Sequence, residues 1–263
     1  MLLERIKNSL TARTNTWQSR HFQLTKYGRK LAKYKDIHKG ERCFVIGNGP
    51  SLTAEDLQIL YDNHVVTFGT NRVFHIFDKT QWRPTYYVSE DPIILESIQD
   101  KVAEVPCNAR FLPINLRWEN NIQVPNATWF YQDYWSELKE TCGLSLDVAK
   151  GIRCKGTVTI SCIQLAIYMG FSEIYLLGVD HNYSRYTDSS GNVVEDPTVK
   201  DYFSDAYDTD FKSVIGRNLD ATTLSYLSVE ELSRKIGTFK VYNATRGGKL
   251  EVYQRVNFET LFQ

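Results

Sequence analysis

Long apolar runs are missing from this 263-residue chain, and so is an excess of either charge: 31 Lys and Arg balance 31 Asp and Glu. No stretch approaches the roughly 20 apolar residues that span a bilayer. The N-terminus, MLLERIKNSL, sets charges inside its only apolar stretch, unlike a secretory signal. Cysteine is sparse and unpatterned. Cys43, Cys107, Cys142, Cys154 and Cys162 are odd in number and hold no CxxC pair, so reduced, mostly buried thiols are expected rather than disulfides or zinc. Internal repeats and low-complexity segments are absent too. What remains is a chain expected in the cytoplasm. Its apolar share of 42% and charged share of 24% are ordinary, and its length suits one α/β domain.

The zero net charge hides an asymmetry. Residues 1–42 hold eleven Lys/Arg against three Asp/Glu, a local +8 that leaves −8 on the remainder. Such an arm suits an anionic membrane surface or an acidic partner, and equally a merely solvated basic helix. Nucleic acid is not expected as a partner, because the arm carries no recognised reading motif and the body is acidic.

Helical spacing runs through Leu3, Ile6 and Leu10, and again through Leu24, Tyr27, Leu31 and Tyr34, with a break at Thr14–Thr16. Strands and helices then alternate. Apolar runs at Cys43–Ile46, Val65–Phe68, Thr85–Val88, Arg110–Pro113, Ala127–Tyr131, Glu173–Val179 and Phe239–Tyr242 predict strands. Helices are predicted after Ser51, near Pro92, over Thr157–Met169 and over Leu219–Ile236. Residues 184–210 are polar and aperiodic and predict a long mobile loop. The pattern gives an α/β, Rossmann-like fold: a mostly parallel sheet with helices on both faces, preceded by the basic helical arm.

Ligands of such sheets bind outside the carboxyl ends of the strands, and polar clusters stand at those ends. Gly47-Asn48-Gly49-Pro50-Ser51 follows the first strand, where glycines admit a close ligand and can present backbone N–H groups to phosphate. It is neither GxGxxG nor a phosphate-binding GxxxxGK[ST] loop, and a plain Gly-Pro turn would also explain it. Asn71 and Arg72 end the second strand, and Asn71 has an amide able to read a base or ribose. Glu90 and Asp91 end the third, suited to a metal, to sugar hydroxyls, or simply to capping a helix. Asn243 ends the last. Asp180, His181 and Tyr183 follow the Glu173–Val179 strand. His181 suits a general base near neutral pH, and a structural imidazole is the plain alternative. Adjacent strand residues point oppositely, so Asp180 is not expected to orient His181. Tyr183, Tyr186, Tyr202 and Tyr207 offer phenol donors for a departing phosphate.

At these residues the chain resembles a known family. CFVIGNGPSL, FGTNRVF and GTVTISCIQLAIYMGFSEIYLLGVDHNY resemble bacterial proteins sharing the MptE-like domain of 6-hydroxymethylpterin diphosphokinases. More distantly they resemble lipooligosaccharide sialyltransferases and the flagellin-glycosylating motility-associated factors. The resemblance covers roughly residues 38–260 and implies a nucleotide-sugar-binding catalytic domain over 38–263 behind an arm over 1–37. It implies an inverting, metal-independent transferase of polysaccharide biosynthesis. A CMP-activated acidic sugar, a nonulosonate or Kdo, would be the donor and a glycan or lipid-linked glycan the acceptor. No cofactor is required on this view. Nucleotide contacts would fall on Asn48 and Asn71, with Thr157 and Thr159 lining the donor site at a helix start. The sialyltransferases carry a tyrosine two residues after the aspartate matching Asp180, where Asn182 stands here. Their catalytic histidine lies in a later loop, and no histidine follows His181. Two alternatives stay open: a Mg²⁺- and ATP-dependent pterin diphosphokinase using Glu90, Asp91 and Asp180 as ligands, and a non-catalytic nucleotide-binding subunit of a polysaccharide assembly complex. A peripheral position at the inner membrane face and homo-oligomerisation are further open expectations.

Overall fold

The computed structural model describes residues 17–133, 143–153, 156–188, 190–204 and 217–263. The helical spacing through Leu3, Ile6 and Leu10, the break at Thr14–Thr16, Tyr207, Cys142 and Cys154 lie outside these residues. In chain order the elements begin with α1 (Lys26–Ala32), β1 (Arg42–Ile46), α2 (Ala54–Asp62) and β2 (Val66–Thr70). They continue with β3 (Tyr86–Val88), α3 (Pro92–Glu104), β4 (Ala109–Pro113), α4 (Ile114–Glu119) and β5 (Thr128–Phe130). The rest are α5 (Val158–Met169), β6 (Glu173–Leu177), β7 (Arg185–Thr187), β8 (Val193–Glu195), β9 (Arg217–Asn218), α6 (Leu219–Ile236), β10 (Lys240–Asn243) and β11 (Gln254–Arg255).

Eight strands form one parallel sheet in the order β11-β10-β6-β1-β2-β3-β4-β5. The fold is α/β, as the strand–helix alternation predicts. Consecutive residues Cys43 to Ile46 are all fully buried, which requires cover on both sheet faces and explains the continuous apolar run. In register across three strands, Phe44, Tyr175 and Tyr242 stack at centroid distances of 4.9 and 5.0 Å. The chain leaves β1 toward β2 through β5 on one side and returns to β6 on the other. The order therefore reverses between β1 and β6, the place where open α/β sheets bind ligands.

The helix predicted over Thr157–Met169 is buried all round rather than on one face. Thr159 to Ala166, Tyr168 and Met169 are all buried, as befits a helix apolar on every side. It packs against β1, β2, β3 and α6. Gly170 ends it in the left-handed region (φ 90°) that side chains resist. The segment before β1 runs along this helix end: the Asp36, His38 and Gly40 amides donate to the carbonyls of Tyr168, Met169 and Gly170. Phe22 and Leu31 reach the core, and Lys30 Nζ donates to the Asn126 and Ala127 carbonyls.

The aperiodic loop expected over 184–210 is corrected in part. β7 and β8 form an antiparallel hairpin, and β9 joins β7 in parallel. Asp188 Oδ1 accepts from the Ser190 and Asn192 amides and closes the turn. The strands are three residues or fewer and carry no apolar alternation, so periodicity had nothing to register. Among the described residues no helix is long and apolar enough to cross a membrane.

Leu165→Ala, at a fully buried position of α5, is expected to cost about 2–5 kcal/mol of stability. Leu227→Ala, at a half-exposed position of α6, should stay within about 0.5 kcal/mol. Urea denaturation of both variants checks the difference; equal midpoints would contradict the packing.

Candidate functional site

The loops after β1 and β6 meet at the reversal point, and they meet backbone to backbone. A Cβ on Gly47 would run into the Gly178 carbonyl, and one on Gly49 into the Asp180 carboxylate. The glycines therefore serve contact within the protein. The Gly47 amide donates to the Leu177 carbonyl (2.8 Å) and the Gly49 amide to Gly178 (2.9 Å). Ser51 gives both its hydroxyl (2.7 Å) and its backbone N–H to Asp180. The expectation that this loop offers free amides to a phosphate is thus corrected at these three positions. Pro50 caps the exposed outside of the turn.

Asn48 is the side chain this loop presents. Its Nδ2 donates to the Thr70 carbonyl (3.1 Å) and to Thr70 Oγ1 (3.0 Å), which itself donates to the Ile46 carbonyl. A carbonyl can only accept, so the amide orientation is set, and Oδ1 is left buried without a partner. Asn71 adopts a left-handed backbone (φ 47°), with Oδ1 accepting from Ser89 Oγ and its carbonyl from Tyr87. Arg72 is not at the site surface: it is fully buried, and Nη2 donates to Ser97 Oγ on α3.

Glu90 is nearly buried and accepts from Ser161 Oγ in the first turns of α5. The adjoining Asp91 caps α3, with Oδ1 accepting from the Ile94 amide at 3.0 Å. Thr157 caps α5, accepting from the Thr159 amide at 3.3 Å, and Thr159 is itself buried. The Glu90 carboxylate thus already occupies part of the positive field at that helix start. Asn243, expected to contact a ligand, bonds within the protein. Buried to 1% exposure, it donates to the Leu250 carbonyl and accepts from the Thr245 amide, closing the following loop.

His181 lies past the end of β6 with φ 51°. Its Nε2 is 2.9 Å from Thr223 Oγ1 on α6. Edge-on ring contacts join it to Tyr183 (6.2 Å) and Tyr226 (5.6 Å). Nδ1 is buried and has no partner. Burial lowers the imidazole pKa below its ordinary 6.5, so the ring is neutral at pH 7. Asp180 belongs to Ser51 and His181 to Thr223, so the carboxylate does not orient the imidazole. Strand alternation is not the cause, since neither residue is in a strand. Thr70 and Ser89 open the strand-end polar clusters Thr70–Arg72 and Ser89–Asp91 that the sequence shows, whereas Thr223 and Ser161 had no sequence signal, because their roles depend on partners 42 and 71 residues away.

Among the described residues no three His, Cys, Asp or Glu side chains gather as a metal-ligand group. Depressions of ≈ 350 Å³ beside Trp129 and ≈ 400 Å³ beside Phe258 contain none of the strand-end residues Asn48, Asn71 or His181. The strand-end cluster holds buried polar atoms without partners, Asn48 Oδ1 and His181 Nδ1, and none of the residues lining either depression does.

Burial raises the Asp180 carboxyl above its ordinary 3.8, and the Ser51 bonds oppose the rise. The folded state therefore holds this proton more tightly than the unfolded chain. Its contribution to stability is full below pH 3.8 and is lost as pH rises through the folded value. Ser51→Ala removes a bond that favours the carboxylate and should raise the carboxyl further, as read by ¹³C NMR titration of Asp180. An unchanged or lower value would show that the bond does not control it.

Among solved structures the chain resembles the MAf glycosyltransferase from Magnetospirillum magneticum, at 15% identity and a TM-score of 0.47. That match covers 89% of this chain but 38% of the other, so the chain spans well under half of that relative. It also resembles the sialyltransferase CstII from Campylobacter jejuni. Its complex with cytidine-5'-monophosphate gives 17% identity, a TM-score of 0.49, and coverage of 83% of this chain and 85% of that one. Its complex with CMP-3FNeuAc gives 16% identity, a TM-score of 0.42, and coverage of 77% and 79%. No curated protein matches the sequence. The 6-hydroxymethylpterin diphosphokinase MptE-like family matches residues 19–186, well over half of the chain, and the protein belongs to that family.

Proposed function

We propose that the protein is a sialyltransferase-like glycosyltransferase. It moves an acidic sugar, a nonulosonate or Kdo, from a CMP donor to a glycan or lipid-linked glycan, with inversion. The observation that carries this reading is a pair of buried polar atoms without partners, the acceptor Asn48 Oδ1 and the ring nitrogen His181 Nδ1. They stand on the two loops that flank the sheet's reversal point. A buried acceptor left unmade costs about 1–3 kcal/mol, a cost a bound ligand with matching donors relieves. A nucleotide supplies such donors to Asn48, with Asn71 beside it on the next strand end. An acceptor hydroxyl supplies one to His181.

In the transfer, His181 Nδ1 takes the hydroxyl proton, and the freed oxygen pair forms the new bond to the anomeric carbon. The bond from that carbon to the CMP phosphate oxygen breaks on the opposite face, and CMP leaves with the electron pair. On this reading Tyr183, beside the imidazole, steadies the departing phosphate, and Thr157 lines the donor at the start of α5. The diphosphokinase reading has less support. It needs clustered carboxylates for Mg²⁺, whereas Glu90, Asp91 and Asp180 each serve a separate protein partner. It also needs loop amides that here are spent. A non-catalytic subunit gives no account of the bare imidazole nitrogen.

A panel of CMP, CDP, ATP and a pterin, with and without Mg²⁺, separates these readings by thermal shift. CMP should stabilise the protein without metal, and Asn48→Ala should weaken CMP by about 1–3 kcal/mol. Stabilisation by ATP with Mg²⁺ alone would move the diphosphokinase to first place. A general base contributes about 10²–10⁴-fold, so His181→Ala should lose turnover far more than CMP affinity. Because burial lowers the imidazole pKa, the acid limb of the rate profile should fall below pH 6.5. A variant keeping more than about a tenth of wild-type turnover would remove His181 from the mechanism.

The same reading places the enzyme at a membrane that carries its acceptor. Trp17, Leu24 and Ile37 are exposed among the exposed cations Arg20, Lys26, Arg29, Lys33, Lys35 and Lys39. Anionic vesicles should bind the protein and release it as salt rises, since screening acts over about 8–10 Å at physiological ionic strength. Equal binding to neutral vesicles would contradict this.

A further inference from the structure

We propose that Thr223 is the positioning residue of the base, holding His181 as the Nε2–H tautomer with its lone pair on Nδ1. This rests on the reading of His181 as the base.

A threonine hydroxyl has one hydrogen. Thr223 Oγ1 stands 2.8 Å from the Leu219 carbonyl, one turn back on α6, and 2.9 Å from His181 Nε2. The carbonyl has no proton to give, so the hydroxyl donates there. Toward the imidazole it can only accept, and Nε2 must carry the hydrogen. Because a neutral imidazole has one N–H, Nδ1 is bare, and it is the nitrogen found buried without a partner. The lock is stiff at both ends. Thr223 is anchored in an 18-residue helix capped by Asn218. The ring is wedged between Tyr183 and Tyr226, whose neighbour Tyr253 donates its hydroxyl to the Tyr226 carbonyl. Aspartate does this orienting work in many hydrolases, and it also holds positive charge on the ring. A threonine orients the ring without supplying charge. His181 therefore stays a neutral base through physiological pH, in keeping with its buried surroundings.

The test is long-range ¹H–¹⁵N correlation of histidine-labelled full-length protein at pH 7.5, without ligand. His181 should show a protonated Nε2 and an unprotonated Nδ1. Thr223→Ser, which keeps the hydroxyl, should preserve that pattern. Thr223→Val, which keeps the shape, should lose it to a mixture of tautomers. Release of CMP from a CMP-nonulosonate should fall roughly tenfold or more in kcat for Thr223→Val, a share of what a general base supplies. KM for the donor should not move, and the serine variant should retain the rate. A protonated Nδ1 in the wild type, or a valine spectrum identical to it, overturns the lock. If the spectra follow expectation while His181→Ala keeps its turnover, the lock stands and the base reading alone fails.

Discussion

The carboxyl edge of the sheet is organised by one close approach, the Gly47–Gly49 backbone lying against Gly178 and Asp180. Two parallel strands side by side need only ladder bonds. Here the loops beyond them also touch, and no side chain fits between. The Ser51 hydroxyl then reaches Asp180 at 2.7 Å. A third loop is drawn in after β10: the Lys249 amide donates to the Asp180 carbonyl, and the Val179 amide to Thr245 Oγ1. Arg246, from that loop, grips buried Asp56 at the start of α2 through two 2.6 Å bonds and reaches Glu259 as well. Three strand ends and one helix start are thereby fastened to each other.

That fastening explains which polar groups at this edge remain without a protein partner. Backbone amides that a glycine-rich loop would ordinarily turn outward are consumed at Gly47, Gly49 and Ser51, and so is the carboxylate of Asp180. What stays unmatched is side-chain chemistry, the Asn48 carbonyl oxygen and the His181 Nδ1. Asn48 Oδ1 is an acceptor, and on the tautomer proposed for His181 so is Nδ1, which is the basis of the donor contacts proposed for a ligand. The electrostatics agree. Burial disfavours charge on both Asp180 and His181, and among the described residues no charged group offsets it at the imidazole. The small β7–β8–β9 sheet lies beyond the same edge, and the segment following it returns to the site, where the Phe203 amide donates to the Asn48 carbonyl.

Much of the framework was legible because burial on both faces of a parallel sheet leaves uninterrupted apolar runs. Cys43–Ile46, Thr85–Val88 and Glu173–Leu177 could hardly be read otherwise, and Leu219–Ile236 is the helix its spacing predicts. Gly47–Ser51 and Asp180–His181 could be placed at strand ends for the same reason. The β7–β8 hairpin was not legible, since three-residue strands exposed to solvent carry no hydrophobic period. Nor could sequence sort the polar residues. Asn48 and Asn243 look alike as strand-end asparagines, yet one keeps a free acceptor and the other is spent on Leu250 and Thr245. Arg72, beside Asn71 in the chain, is buried against α3.

By itself, then, the sequence determined the alternation of strands and helices, the parallel sheet and the edge where polar residues gather. Those follow from local periodicity and from the burial of apolar surface. Only the tertiary structure decided the state of each polar group. Whether the His181 lone pair sits on Nδ1 depends on Thr223, 42 residues away, and whether Asp180 is free depends on Ser51, 129 residues away. A hydrogen bond is a matter of a few tenths of an ångström and of direction. Distances of that kind between separate loops are set by the packing of the whole sheet, not by the identities of the residues that make them.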